Sequence, residues 1–254
     1  MKSLLEQVQS ARLYDLGQPY FPGMPHYPTH PPFLFGPTKK HGEIVLPGGV
    51  SSSADAVALG THVGTHIDAL CHFSCGGKLY GGVDAQSMES LSIDTVPPIL
   101  RRGVLLDIAV ASTLSEDFAI TPGHLDQAVR QQGVAIEKGD VVLLRTGWGA
   151  LWNDPARYIN NVVGPGPERP AAEWLSSRGV FAAGSDTVAF ERVPSGMQVH
   201  VHLLVESGIH IIEALDLEKL AADRVYEFLF LAVPMKIRGA TGSPVRPIAL
   251  VGGI

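Results

Sequence analysis

The chain has 254 residues, 45% hydrophobic and only 17% charged, too apolar for a disordered polypeptide and long enough to bury a sizeable core. Its 19 Lys and Arg against 25 Asp and Glu give a net charge of −6 with no long like-charged run, which excludes nucleic acid and an anionic membrane surface as the main partner. No apolar stretch reaches the roughly 18 residues of a membrane span, and the first 17 residues interrupt their leucines with Glu6, Arg12 and Asp15, unlike a signal peptide. With only two cysteines, Cys71 and Cys75, the expectation is a cytoplasmic protein without a disulfide framework.

Residues 17–50 come first in chain order and carry eight prolines with little periodicity. This segment, which includes QPYFPGMPHYPTHPPFLF, is too apolar for a linker and reads as an ordered loop lining a site. The β-branched runs at 103–110, 140–144, 180–183, 209–214 and 226–234 read as strands covered on both faces. Between them, Thr121 can cap a helix that begins with Pro122 and stops at Gly133, and Pro170 opens a second one stopped by Gly179. Neither an internal repeat nor a break in composition marks a second domain, so residues 1–254 read as a single α/β domain.

Six of the ten histidines fall in two short windows. His62, His66 and His72 lie with Asp68 in GTHVGTHIDALCHF; His200, His202 and His210 precede Glu213 in VHVHLLVESGIHIIE. Imidazole and carboxylate together suit Zn, Mn or Fe, because a borderline nitrogen donor is combined with an oxygen that neutralises part of the charge. In a strand, His62, Gly64, His66 and Asp68 share one face; in a helix, His62 and His66 still pair but Asp68 falls off their face. A strand joined to a loop or helical turn accommodates all three ligands, and Gly64 leaves room for a close backbone approach to metal or substrate.

The stretch HVGTHIDALCH, His62 to His72, resembles the H-x-G-T-H-x-D-x-P-x-H signature of the cyclase family of metal-dependent hydrolases, which includes bacterial kynurenine formamidases and isatin hydrolases. Further blocks resemble the family in the same order: RGVLLDIA at 102–109, GDVVLLRTGW at 139–148, GSDT at 184–187, VHVHLLVESGIHIIEAL at 199–215 and GSPVRPIAL at 242–250. One departure is Leu70, which stands where the family has proline.

The resemblance implies a mixed sheet in the swivelling β/β/α architecture. It implies His62, His66, Asp68, His200 and Glu213 as ligands of one or two divalent metals, zinc or manganese, and His72 as the residue that takes and returns a proton. Tyr20, Phe21 and Tyr27 are the implied aromatic contacts of a flat substrate, with His202 as a further contact, while His210 and the cysteines read as structural. The implied activity is hydrolysis of a small amide or lactam by metal-activated water, in a homodimer or homotetramer. Hydrolysis of a lactone or ester, a lyase step on a related carbonyl compound, and metal-dependent binding without turnover remain alternatives.

Overall fold

The five apolar runs become five adjacent strands of one sheet. The computed structural model describes residues 4–252. Its principal elements are, in chain order, α1 (Leu4–Gln9), β1 (Arg12–Asp15), β2 (Leu34–Lys39), β3 (Ala54–Ala58), β4 (His66–Asp68), β5 (Ile99–Asp107), β6 (Ala119–Ile120), α2 (Pro122–Gln132), β7 (Val141–Arg145), α3 (Pro155–Ile159), β8 (Gly166–Pro167), α4 (Arg169–Ser177), β9 (Ala182–Ser185), α5 (Gln198–His200), β10 (His210–Glu213), α6 (Glu218–Ala222), β11 (Glu227–Ala232), β12 (Gly242–Pro244) and β13 (Ile248–Val251). A π-helical segment, Val201–Ser207, continues directly from α5.

The main sheet has nine strands in the order β1-β13-β11-β5-β7-β9-β10-β4-β12. Its centre, β5-β7-β9-β10, is parallel, and antiparallel wings flank it on both sides. Alternation along the central strands divides the core in two. Leu105, Val141, Leu143 and Ile212 pack into one cluster, and Val104, Leu106, Val142, Leu144 and Ile211 into the other. The second cluster is roofed by Leu125 and Ala128 of α2 and by Ala171, Trp174 and Leu175 of α4. The sequence signals at these helices hold: Pro122 sits in the first turn of α2, His124 Nδ1 accepts the Thr121 N–H at 3.1 Å, and Gly133 ends it at φ 68°. This is the mixed α/β architecture expected.

Two segments differ from expectation. Residues 61–65 form turns, and only His66–Asp68 is strand, so the ligand motif is a turn running into a three-residue strand. The proline-rich segment does not stay at one site: Leu34 onward leaves it as an exposed two-stranded ribbon, in which β2 pairs with β3.

Candidate metal centre

β4 lies between β10 and β12 and is buried throughout. The register places Glu213 directly opposite His66, so these two side chains share a face with Asp68, two residues along. His62 reaches the same place from the preceding turn. Gly242 of β12 makes this possible, because a Cβ there would meet His62 Cε1 at 2.6 Å. His200 enters from the last turn of α5, where the chain passes into the π-helical segment, a distortion common at functional sites.

The turn is held by Tyr20. Its hydroxyl donates to the carbonyls of Val63 and Thr65, at 2.9 and 2.8 Å, and its ring lies over Gly64. Gly64 has φ 68°, and a Cβ there would come within 2.4 Å of the ring. The space left by Gly64 is therefore filled by Tyr20, not by a metal or substrate.

Second hydrogen bonds fix the imidazoles. His66 Nδ1 donates to the Gly64 carbonyl at 2.8 Å, which turns Nε2 inward, 3.5 Å from Asp68 Oδ1 and 3.4 Å from Glu213 Oε2. His62 Nε2 contacts Thr241 Oγ1 at 2.8 Å and its Nδ1 faces Asp68 Oδ1 at 2.7 Å. His200 Nδ1 donates to Glu191 Oε2 at 2.6 Å, and its Nε2 faces Glu213 Oε1 at 3.2 Å. Glu213 Oε1 also accepts the Phe190 N–H. His72 stacks on His62 with centroids 3.8 Å apart and meets the edge of Phe73.

Charge follows burial and neighbours. Burial works against a charge on His200, but Glu191 and Glu213 outweigh it and raise the imidazole to about 10. Burial likewise opposes charge on His66, and Asp68 and Glu213 raise it. Asp68 also resists ionisation through burial, yet the His72 and His62 imidazoles hold it well below the ordinary carboxylate value. His72 has no such partner within hydrogen-bonding reach, and burial pulls it down to about 3, a neutral imidazole at pH 7.

His62, His66, His200 and Glu213 form the floor of a cavity of about 350 Å³. Tyr27, Thr29, His30, His72, Phe73, Val188, Ala189 and Met197 complete its lining. Of the expected aromatic contacts only Tyr27 is there. Phe21 packs with Met24, Val63 and Trp152 in a small hydrophobic cluster, and Tyr20 is committed to the turn. His202 points away, hydrogen-bonded to Glu206 at 2.8 Å and Ser176 at 2.8 Å, and His210 donates to the Asp68 carbonyl. Neither Tyr20, Phe21 nor His202 lines the cavity. Two residues without a sequence signal join the site: His30, whose Nδ1 lies 3.1 Å from the His62 carbonyl oxygen, and the buried Glu191. A larger groove, about 710 Å³, runs past Asp15, Gln18, Met235 and Arg246, but its charged residues Asp15 and Arg246 already pair with each other.

The residues present fit a divalent cation. His66 Nε2 and Asp68 Oδ2 are buried without a hydrogen-bond partner, a costly state for inward-facing polar atoms unless a further group satisfies them. Ligand atoms of His62, Asp68 and His72 lie within 4.8 Å of one another, as do those of Asp68, His200 and Glu213. Asp68 is common to both groups. Nitrogen and oxygen donors in this proportion suit a divalent metal.

Sheet and site thus define an α/β protein with a His/Asp/Glu cluster fit for a divalent cation at the floor of a cavity. The chain belongs to the Cyclase family, whose model (“Putative cyclase”) matches residues 14–192. The isatin hydrolase of Roseibium aggregatum is 28% identical over 205 residues, 77% of this chain and 73% of that protein. The kynurenine formamidase of Erythrobacter litoralis is 28% identical over 226 residues, 89% and 88% of the two chains. Among solved structures, a novel cyclase superposes with TM-score 0.87 at 28% identity, covering 96% of this chain and 90% of the other. Isatin hydrolase A from Ralstonia solanacearum, at 24% identity and TM-score 0.80 over 99% and 98% of the chains, shares the fold. No helix among the described residues is long and apolar enough to cross a membrane.

Proposed function

We propose that the chain is a metal-dependent hydrolase that cleaves the carbon–nitrogen bond of a small amide or lactam. The observation that carries this reading is the pair of unpartnered buried ligand atoms, His66 Nε2, which faces Glu213, and Asp68 Oδ2, beside a cavity with His72 in its wall. His62, His66, Asp68, His200 and Glu213 would hold the cation, zinc or manganese; a second one would share Asp68. When bound, a divalent cation supplies a Lewis acid for the carbonyl and lowers the pKa of water toward about 7.

The chain's own residues do the rest. His72, in the cavity wall and free of hydrogen bonds to other side chains, takes a proton at an imidazole nitrogen and returns it to the departing nitrogen. Tyr27 and Phe73 wall a cavity of a size suited to a one- or two-ring substrate. Glu191 and the Gly64 carbonyl hold His200 and His66 in the tautomers that present Nε2 inward. A cytoplasmic homodimer or homotetramer completes the reading, in keeping with free Cys71 and Cys75.

Metal analysis of the purified protein followed by absorbance assays with N-formylkynurenine and isatin tests the proposal. Release of product from an amide or lactam is the expected outcome. Turnover of lactones or esters alone would make the chain an esterase-type member, and full metal occupancy without turnover of any acyl compound would make it a binding protein.

A further inference from the structure

The cavity wall carries one polar atom of fixed polarity that the cation site does not use. His30 lines the cavity, and its Nδ1 lies 3.1 Å from the His62 carbonyl oxygen. A carbonyl only accepts, so the ring proton sits on Nδ1; above the ordinary imidazole pKa of about 6.5, Nε2 on the opposite edge of the ring is then purely an acceptor. No group among the described residues bonds to that Nε2. The other polar side chains of the wall impose no such demand. Hydroxyls of Tyr27 and Thr29 turn to donate or to accept, and no hydrogen bond to another side chain fixes the tautomer of His72.

The ring is anchored on several sides. The His30 N–H donates to the Tyr27 carbonyl at 2.9 Å, and the His62 ring packs against the imidazole with centroids 5.4 Å apart. Gly60 lets the next residue approach the turn that carries His62, because a Cβ there would meet Pro31 Cδ at 3.1 Å and the Pro31 carbonyl oxygen at 3.3 Å. An acceptor held this way needs little ordering when a ligand arrives.

We propose that His30 is a substrate-binding residue that selects for an N–H on the scissile nitrogen, favouring secondary amides and unsubstituted lactams over N-alkylated amides, esters and lactones. The proposal rests on the hydrolase reading. An atom hydrogen-bonded to an imidazole nitrogen lies about 4 Å from the ring centroid, and the His30 and His72 centroids are 6.5 Å apart, so one nitrogen between the rings is within reach of both. Its N–H then points at His30. Its lone pair, released from the carbonyl as that carbon becomes tetrahedral, is left for the proton that His72 returns. An ester or lactone oxygen in the same place sets lone pair against lone pair, and an N-alkyl group leaves Nε2 without a donor, which costs about 10- to 100-fold.

Two substrate pairs test this at pH 8: isatin with N-methylisatin, and N-formylkynurenine with its N-methyl derivative. Where a pair is not turned over, dissociation constants from calorimetry of the metal-loaded protein replace the kinetics. The variants are His30→Phe, which keeps a ring of similar bulk without an acceptor, and His30→Asn, whose amide N–H can still reach the His62 carbonyl but which has no atom at the position of Nε2. Wild type is expected to favour the N–H compound by about 10- to 100-fold in kcat/KM, and both variants to bring that ratio to within about threefold, with wild-type metal content. A wild-type ratio near one, or a preference that survives in His30→Phe or in His30→Asn, would overturn the proposal. So would binding of neither pair. Preferential binding of the N–H compounds without turnover would instead sink the hydrolase reading and leave the role of His30 standing.

Discussion

Glu191 supports the proposed cation site without touching it. One of its oxygens accepts both the Nδ1–H of His200, at 2.6 Å, and the His200 backbone N–H, at 2.9 Å; the other accepts the Ser195 hydroxyl at 2.6 Å. In Glu191→Gln the amide oxygen can still face His200 and the amide NH₂ can face Ser195, so shape survives and only the charge that makes the imidazole a stronger donor is lost. In Glu191→Ala both His200 donors lose their acceptor in a site where Glu191 and His200 are 2% and 3% exposed. Partners of this kind are worth about 10- to 100-fold in metal affinity, or roughly 1.4–2.7 kcal/mol. Glutamine should therefore fall near the tenfold end and alanine near the hundredfold end, with alanine also losing about 1–3 kcal/mol of stability through the orphaned His200 N–H. Chelator-competition titration with zinc and manganese, beside urea unfolding, measures both quantities. Wild-type affinity in both variants would refute the positioning role.

Two further substitutions separate chemistry from architecture. His72→Ala should keep the cation of the Asp68, His200 and Glu213 group and lose about 10²- to 10⁴-fold in kcat, read by metal analysis and steady-state kinetics; full activity in that variant would remove His72 from the proton path. Gly64→Ala forces a methyl to within 2.4 Å of the Tyr20 ring at a backbone φ of 68°, so the ring must leave the Val63 and Thr65 carbonyls. The cost should be about 2–4 kcal/mol, a fall in Tm of roughly 5–10 °C, and a wild-type melting curve would show that Tyr20 does not hold the turn.

The central strands and helices were legible because their signals are local. Runs such as DVVLL are apolar on both faces, and Thr121-Pro122 with Gly133 marks both ends of α2. His66 and Asp68 were legible as a pair because a strand brings residues two apart to one face. The rest depends on tertiary placement. Glu191 lies in the irregular segment after β9, nine residues before the histidine it orients, and no periodicity connects the two. His30 looks like any histidine in a proline-rich stretch until the chain folds it over the His62 carbonyl. Tyr20, expected against a substrate, is spent on the gap above Gly64, and His202, two residues from His200, is rotated away by the helix that carries both. The short outer strands β1, β12 and β13 carry too few residues for alternation to show, and only the pairing of β13 with β11, β1 with β13 and β12 with β4 makes them strands.

The most direct test of the account is calorimetric titration of metal-stripped protein with zinc and with manganese, wild type beside Asp68→Ala, with folding followed by circular dichroism. Asp68 is the carboxylate common to both candidate ligand groups. The account predicts one or two cations per wild-type chain and none bound tightly by the folded variant. Absence of stoichiometric binding in the wild type, or undiminished binding in Asp68→Ala, would contradict it.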